Sequence, residues 1–235
     1  MVLLRNTQLE ERFVDVWSVN LVFNEADLRL FSQTLSVQEL SKLALFKSQG
    51  QANRYLAVRG AVRRILARYL AIESVDLRFE VNAYGKPYLS NAALFFNISH
   101  SNDYLLVAVS DFDQIGVDIE RIKTRSNLLG LAKRCFSVDE FNFWCDLSVD
   151  VQMRVFYQFW VRKEAFVKAV GRGIALGLEQ CELQVPDLAK LSKIPDDFGF
   201  AEDWKVAGLQ VADEFAAALV MPNRCLVLNQ YCFEL

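Results

Sequence analysis

Glu164 and Lys168 lie in a stretch, Trp160 to Gly173, whose helix is apolar on almost every side. Four residues apart, they share one side of a helix. Val155, Phe156, Phe159, Trp160, Val161, Phe166, Val167 and Val170 surround them, and a helix that is apolar on almost every side is a buried one. Buried charge is costly unless it is paired or bound to something. One reading is an ordinary i,i+4 ion pair, which is worth about 0.3–0.5 kcal/mol when exposed. The other is a carboxylate and an ammonium held for chemistry. Upstream, Asp118 and Glu120 alternate with Val117 and Ile119, so on a strand the two acids share a face. That face is either merely solvated or, joined by Glu164, an oxygen site for a hard cation such as Mg²⁺, which keeps waters and commonly shares a substrate phosphate.

The lone histidine, His100, lies between Ser99 and Ser101 where a loop is expected to interrupt two strands. Three hydrogen-bonding side chains in a row suit a phosphate, and a satisfied loop histidine is the alternative. Gly85-Lys86-Pro87 reads as a turn.

The elements that must position these residues follow from periodicity and punctuation. Alternation predicts strands over Phe13–Val22, Leu77–Val81, Ala93–Ile98, Tyr104–Ser110 and Ile115–Glu120. The capping boxes Ser36/Glu39 and Ser137/Glu140 open short helices. Between them, a longer helix over Gln51–Leu70 carries Arg54, Arg59, Arg63, Arg64 and Arg68, a solvated face from which one arginine is expected to reach an anion. Ser126–Arg134 reads as helical, and the apolar helix runs from about Asp150 to its glycine stop at Gly171. Cys181–Val185, Trp204–Val211, Phe215–Val220 and Arg224–Phe233 are β-like, with Pro186–Gly199 as a long surface loop. The order strand, helices, strands occurs twice with a joint near residues 110–115. This predicts an α+β fold of two similar-sized halves, residues 1–112 and 113–235.

Composition excludes several classes. With 53% hydrophobic and 23% charged residues among 235, the chain is an ordinary packed globule. A net charge of −3 gives no electrostatic reason for nucleic-acid binding. No apolar run reaches membrane-spanning length, and the charged first twenty residues do not read as a secretory signal. Five cysteines without a C-x-x-C pair fit reduced, mostly core thiols in a cytoplasmic protein.

Taken together, Gly85-Lys86-Pro87, then Phe96-Asn97-Ile98-Ser99-His100-Ser101, then Gly116-Val117-Asp118-Ile119-Glu120, then Trp160-x-x-Lys163-Glu164-Ala165-x-x-Lys168-x-x-Gly171-x-Gly173 resemble the 4′-phosphopantetheinyl transferases of the Sfp type. The resemblance implies two pseudo-symmetric α+β halves with the active site in the cleft between them. It implies transfer of the phosphopantetheine arm of coenzyme A to a serine of an apo acyl or peptidyl carrier protein, releasing adenosine 3′,5′-bisphosphate, by a monomer. At the matched positions Asp118, Glu120 and Glu164 hold Mg²⁺, Glu164 takes the serine proton, and Lys168 stabilises phosphate charge. Ser99 and His100 touch phosphates. Arg54, with Lys42 as a lesser candidate, joins His100 at the 3′-phosphate, and Gly85, Lys86 and Pro87 surround the adenine. Lys163 is a possible phosphate contact, and Glu140 a supporting acid near the site. Leu128, Leu129, Phe141, Phe143 and Trp144, with Lys123, Arg125, Lys133 and Arg134, are expected to include the carrier-docking face. A metal-dependent nuclease and a carrier binder without turnover are the competing classes. The first needs a basic track, and the second has no use for buried charges.

Overall fold

The computed structural model of the protein describes residues 12–90, 93–173, 176–224 and 227–235. Its first sheet has the strand order β11 (Val227–Cys232), β1 (Phe13–Asn20), β5 (Tyr104–Ser110), β4 (Phe95–Ser101). The second has the order β6 (Gly116–Arg121), β10 (Phe215–Pro222), β9 (Trp204–Gly208). Strands β2 (Phe79–Val81) and β3 (Pro87–Leu89) form a hairpin, and β7 (Glu182–Leu183) pairs with β8 (Leu191–Lys193). The fold is α+β in two halves, but the chain crosses back at its end. Strand β11 lies parallel to β1, with Phe13 opposite Val227, so residues 227–232 complete the sheet of the first half.

Side-chain alternation explains how the halves join. On β1, Phe13, Trp17 and Val19 pack under helix α3 (Gln49–Leu70), and on β5 so do Leu105, Val107 and Val109. The intervening Val14, Val16, Leu106 and Ala108 face the other way and meet Val117, Ile119, Leu219 and Met221 of the second sheet. Both sheets are therefore buried on two faces, and one apolar layer belongs to both halves. Outside the second sheet lies α6 (Val149–Ala169), its Phe156, Phe159, Phe166 and Val167 packed with Ala218 and Val220 of β10. Helices α4 (Leu128–Cys135) and α5 (Val138–Cys145) complete that core, in which Trp144 is buried.

Helix α6 ends as expected: Gly171 takes φ +69°, the left-handed conformation that suits a residue past a helix end. What places α6 is a close contact at Gly116. A Cβ there would overlap the Ala165 carbonyl oxygen and the Ala169 amide nitrogen. Glu164 and Lys168 each precede one of these alanines, so the contact sets both beside β6.

Several elements differ from expectation. Helices α1 (Glu25–Ser32) and α2 (Val37–Leu43) both precede α3, and α1, opened by a capping box of Asn24 and Asp27, has no counterpart in the sequence reading. The Ser99–Ser101 segment, expected as loop, is strand, and the chain reverses only at Asn102-Asp103, where Asn102 has φ +47°. The Pro186–Gly199 segment contains β8. Of the cysteines, Cys135 and Cys181 are core, whereas Cys145 and Cys232 are exposed. Residues 1–11 of the charged N-terminal segment, and Cys225 and Leu226 of the last expected strand, lie outside the described residues.

Gly116→Ala is expected to destabilise the protein by about 2–3 kcal/mol, since the helix backbone has no rotamer with which to yield. Urea denaturation measures it. A loss below about 0.5 kcal/mol would mean that α6 is not held against β6 at this point.

Candidate active site

On β6, Asp118 and Glu120 face away from the shared apolar layer, toward α6. Asp118 is buried, and its Oδ1 accepts hydrogen bonds from Ser99 Oγ at 2.7 Å and Lys168 Nζ at 2.7 Å. Its Oδ2 is buried with no hydrogen-bond partner. Burial raises the Asp118 carboxyl above its ordinary value, against the pull of Lys168 and Ser99. Glu120 Oε2 accepts from Ser101 Oγ at 3.0 Å.

Glu164 is buried as well, and no side chain among the described residues donates a hydrogen bond to it. Burial, then the Asp118 carboxylate, pushes its carboxyl up to about 7. Lys168 opposes the shift, and Glu120 adds to it. The i,i+4 pair of the sequence thus resolves into a triangle. Lys168 closes on Asp118 and also donates to the Val117 carbonyl at 3.2 Å, while Glu164 stands beside them.

Three acids and one lysine leave uncompensated negative charge, and an orphaned carboxylate oxygen points to a hard cation. Among the described residues no three His, Cys, Asp or Glu side chains are grouped closely enough to hold a metal ion by themselves. A hard cation there would draw most of its ligands from water and substrate oxygen, as Mg²⁺ commonly does.

The other face of β4 carries His100. Desolvation, then the neighbouring Arg54 and Lys168 cations, holds its imidazole below the ordinary histidine value. Arg54, from α3, lies 4.0 Å from Asp103. Arg54 and Lys168 therefore bring positive charge to the neighbourhood of the His100 imidazole, whereas Lys42 is exposed over the Tyr55 ring.

Lys86 turns inward. Its Nζ donates to the carbonyls of Ile115 at 3.1 Å, Ala169 at 3.3 Å and Asp113 at 3.4 Å, and burial brings it down to about 8. The turn holding it is shaped by Asn82, whose Oδ1 accepts from the Tyr84 and Lys86 amides at 2.9 Å, and by Gly85 at φ +84°. A cavity of about 530 Å³ opens between this turn and the end of α6, lined by Asn82, Lys86, Pro87, Phe96, Gly171 and Arg172 among others.

Lys163 has no route to a phosphate. Its Nζ is fully buried, 2.6 Å from Glu140 Oε2, and donates to the carbonyls of Leu178 and Cys181. Glu140 in turn caps Ser137 and accepts from the Leu183 amide at 2.7 Å. Both residues hold the second half's core together. The sequence reading did not find what Asn97, Ser99 and Ser101 do. Their alternation on β4 was the available signal, and it points them at β6.

Residues 114–220 match the 4′-phosphopantetheinyl transferase superfamily, and residues 23–111 match the family described as 4′-phosphopantetheinyl transferase, N-terminal. The chain is 34% identical to the 4′-phosphopantetheinyl transferase HetI of Nostoc sp. over 78% of this chain and 84% of that one. It is 33% identical to the 4′-phosphopantetheinyl transferase Sfp of Bacillus subtilis over 71% and 74%. A more distant relative is the L-aminoadipate-semialdehyde dehydrogenase-phosphopantetheinyl transferase of Xenopus laevis, 27% identical over 73% and 61%. The chain belongs to the 4′-phosphopantetheinyl transferase family, a family of transferase enzymes, and the nuclease alternative falls away.

The raised Glu164 carboxyl has a stability consequence. Its folded-state value of about 7 exceeds the ordinary 4.5, so the native state binds the extra proton between them. Its contribution is full at low pH and lost as pH rises through about 7. Metal-free protein should lose on the order of 3 kcal/mol from this residue between about pH 4.5 and pH 8, and Glu164→Gln should remove that loss. Urea denaturation across this range tests it; parallel stability curves for the two proteins would refute the assignment.

Proposed function

We propose that the protein transfers the 4′-phosphopantetheine arm of coenzyme A to a serine hydroxyl of an apo acyl or peptidyl carrier protein, with Mg²⁺, releasing adenosine 3′,5′-bisphosphate. The observation that carries this reading is the juxtaposition on β6 and α6. A buried acidic set with one orphaned oxygen adjoins the Lys168 ammonium, with the Arg54 guanidinium and the His100 imidazole nearby. A polyanionic pyrophosphate substrate accompanied by a cation would use both.

In the reaction, the carrier serine oxygen attacks the pyrophosphate phosphorus that bears the pantetheine arm, and the bond from that phosphorus to the departing bisphosphate breaks. Glu164, with a carboxyl near 7, takes the serine proton at neutral pH. Lys168 offsets charge on the pyrophosphate and the leaving phosphate. His100 and Arg54 hold the 3′-phosphate, and the Gly85-Lys86-Pro87 turn borders the adenine. In this last role Lys86 acts through its backbone, because its ammonium is committed to three carbonyls. Ser99 contributes to phosphate binding through its main chain, its hydroxyl being bonded to Asp118. Asp118, Glu120 and Glu164 would hold Mg²⁺, which when bound neutralises pyrophosphate charge.

We assign carrier docking to the exposed face of Leu129, Lys133, Arg134 and Val138, next to half-buried Phe141. No helix among the described residues is long and apolar enough to cross a membrane. A cytoplasmic monomer is our reading, supported by free cysteines and by a site assembled from two halves of one chain.

Incubation with coenzyme A, Mg²⁺ and several apo carrier proteins, followed by mass spectrometry of the carriers, tests the reading. The expected result is a phosphopantetheine mass gain, and none on any carrier overturns it. Lys168→Ala should reduce kcat by about 10²–10³-fold. Glu164→Gln should keep coenzyme A binding by calorimetry while losing most of the transfer. Wild-type turnover in Glu164→Gln would exclude the role given to that carboxylate.

A further inference from the structure

Strand β6 is an edge strand of the second sheet, with β10 on one side only. Its other edge is not left to water, and among the described residues no strand pairs with it through backbone hydrogen bonds. The Val117 amide donates to Asn97 Oδ1 at 2.8 Å, the Ile119 amide to Ser99 Oγ at 3.4 Å, and the Arg121 amide to Ser101 Oγ at 3.1 Å. Each rung joins residues 20 apart, so β4 and β6 run alongside in the same direction and one face of β4 serves every second amide of β6.

The hydroxyls have a second partner. A serine oxygen that accepts an amide hydrogen still has one proton to donate. Ser99 gives it to Asp118 Oδ1 at 2.7 Å, and Ser101 gives it to Glu120 Oε2 at 3.0 Å. A backbone strand in this place could fill the amides but would have no proton left for the two carboxylates.

We infer that Asn97, Ser99 and Ser101 form a side-chain ladder that docks the first half onto the open edge of β6, and that Ser99 and Ser101 are positioning residues, orienting Asp118 and Glu120 for the transfer. The positioning role rests on the transferase reading above; the ladder does not. Ser99 and Ser101 thereby act on the reaction from the first half without their hydroxyls touching substrate. His100, between them, alternates to the opposite face of β4.

The test uses Ser101→Ala and Ser101→Thr, because Ser101 is only half-buried and its loss leaves the buried rungs in place. In metal-free, substrate-free protein, Ser101→Ala should speed hydrogen exchange of the Arg121 amide by about fivefold, with the Val117 amide unchanged. With coenzyme A and an apo carrier, it should raise the Mg²⁺ concentration for half-maximal transfer by about tenfold and leave KM for coenzyme A within about twofold. Ser101→Thr, which keeps the hydroxyl, should restore both. Unchanged Arg121 exchange would overturn the ladder. Faster exchange with unchanged Mg²⁺ dependence, or a rise confined to KM for coenzyme A, would overturn the positioning role. If no wild-type transfer occurs on any carrier, the transferase reading and the positioning role fall together, and the exchange measurement still decides the ladder.

Discussion

An unpaired strand edge exposes a row of amide hydrogens and carbonyl oxygens, and a fold must satisfy them or leave a template for association. In this protein the constraint falls on β6. Its amides at Val117, Ile119 and Arg121 are met by side chains of β4. The carbonyls of Ile115 and Val117 are met by the ammonium groups of Lys86 and Lys168. The edge is thus closed by side chains from both halves and not by a paired backbone. Side chains have atoms to spare where a backbone partner has none, and the spare contacts reach Asp118 and Glu120. The site lies on this edge because that is where polar groups of both halves can meet beside an apolar layer that excludes water.

Burial then sets the electrostatics. Asp118 and Glu164 are both taken out of water, and both carboxyls rise in consequence. Lys168 offsets this for Asp118 directly, through a 2.7 Å contact, and for Glu164 only from a distance. One ammonium cannot neutralise two buried carboxylates and Glu120 besides. The resting protein therefore holds a charge deficit, relieved either by a proton on Glu164 or by an added cation. A group poised between those two states near neutral pH suits proton transfer, since its two forms lie close in free energy.

How much of this was legible in the sequence depends on how far apart the interacting residues lie. The periodicity of β1 and β5, the buried character of α6, its stop at Gly171 and the capping boxes at Ser36 and Ser137 are local, and all were readable. The grouping of Asp118 with Glu164 came only from combining separate motifs, and the structure brings them into one electrostatic neighbourhood. Helix α1 carried a readable signal in Asn24 and Asp27, but its short amphipathic run lacked a second cue. Ser99-His100-Ser101 was misassigned as loop because polar side chains in sequence look solvated. On β4 they alternate, two facing another strand's edge and one on the opposite face. Nothing local announces that a strand's polar face will meet backbone rather than water, since the partner lies 20 residues on and in the other half.

Lys163 and Glu164 show why burial of charge does not by itself mark a reactive group. They are neighbours on one helix, about 100° apart around its axis, and both are buried. Lys163 faces the second half's own core, where Glu140 and the carbonyls of Leu178 and Cys181 surround its ammonium. Its partners are complete, and Glu140 is itself bonded to the amides of Ser137 and Leu183. Such a closed set has no capacity left for a substrate. Glu164 faces β6, where it lacks a donor and where Asp118 keeps an oxygen without a partner. Folding left that second set open although the same helix closed the first, so the distinguishing property is incomplete satisfaction of buried charge. It is a property of the assembled edge, created where α6 is drawn onto Gly116 and where β4 supplies hydroxyls but no further cation.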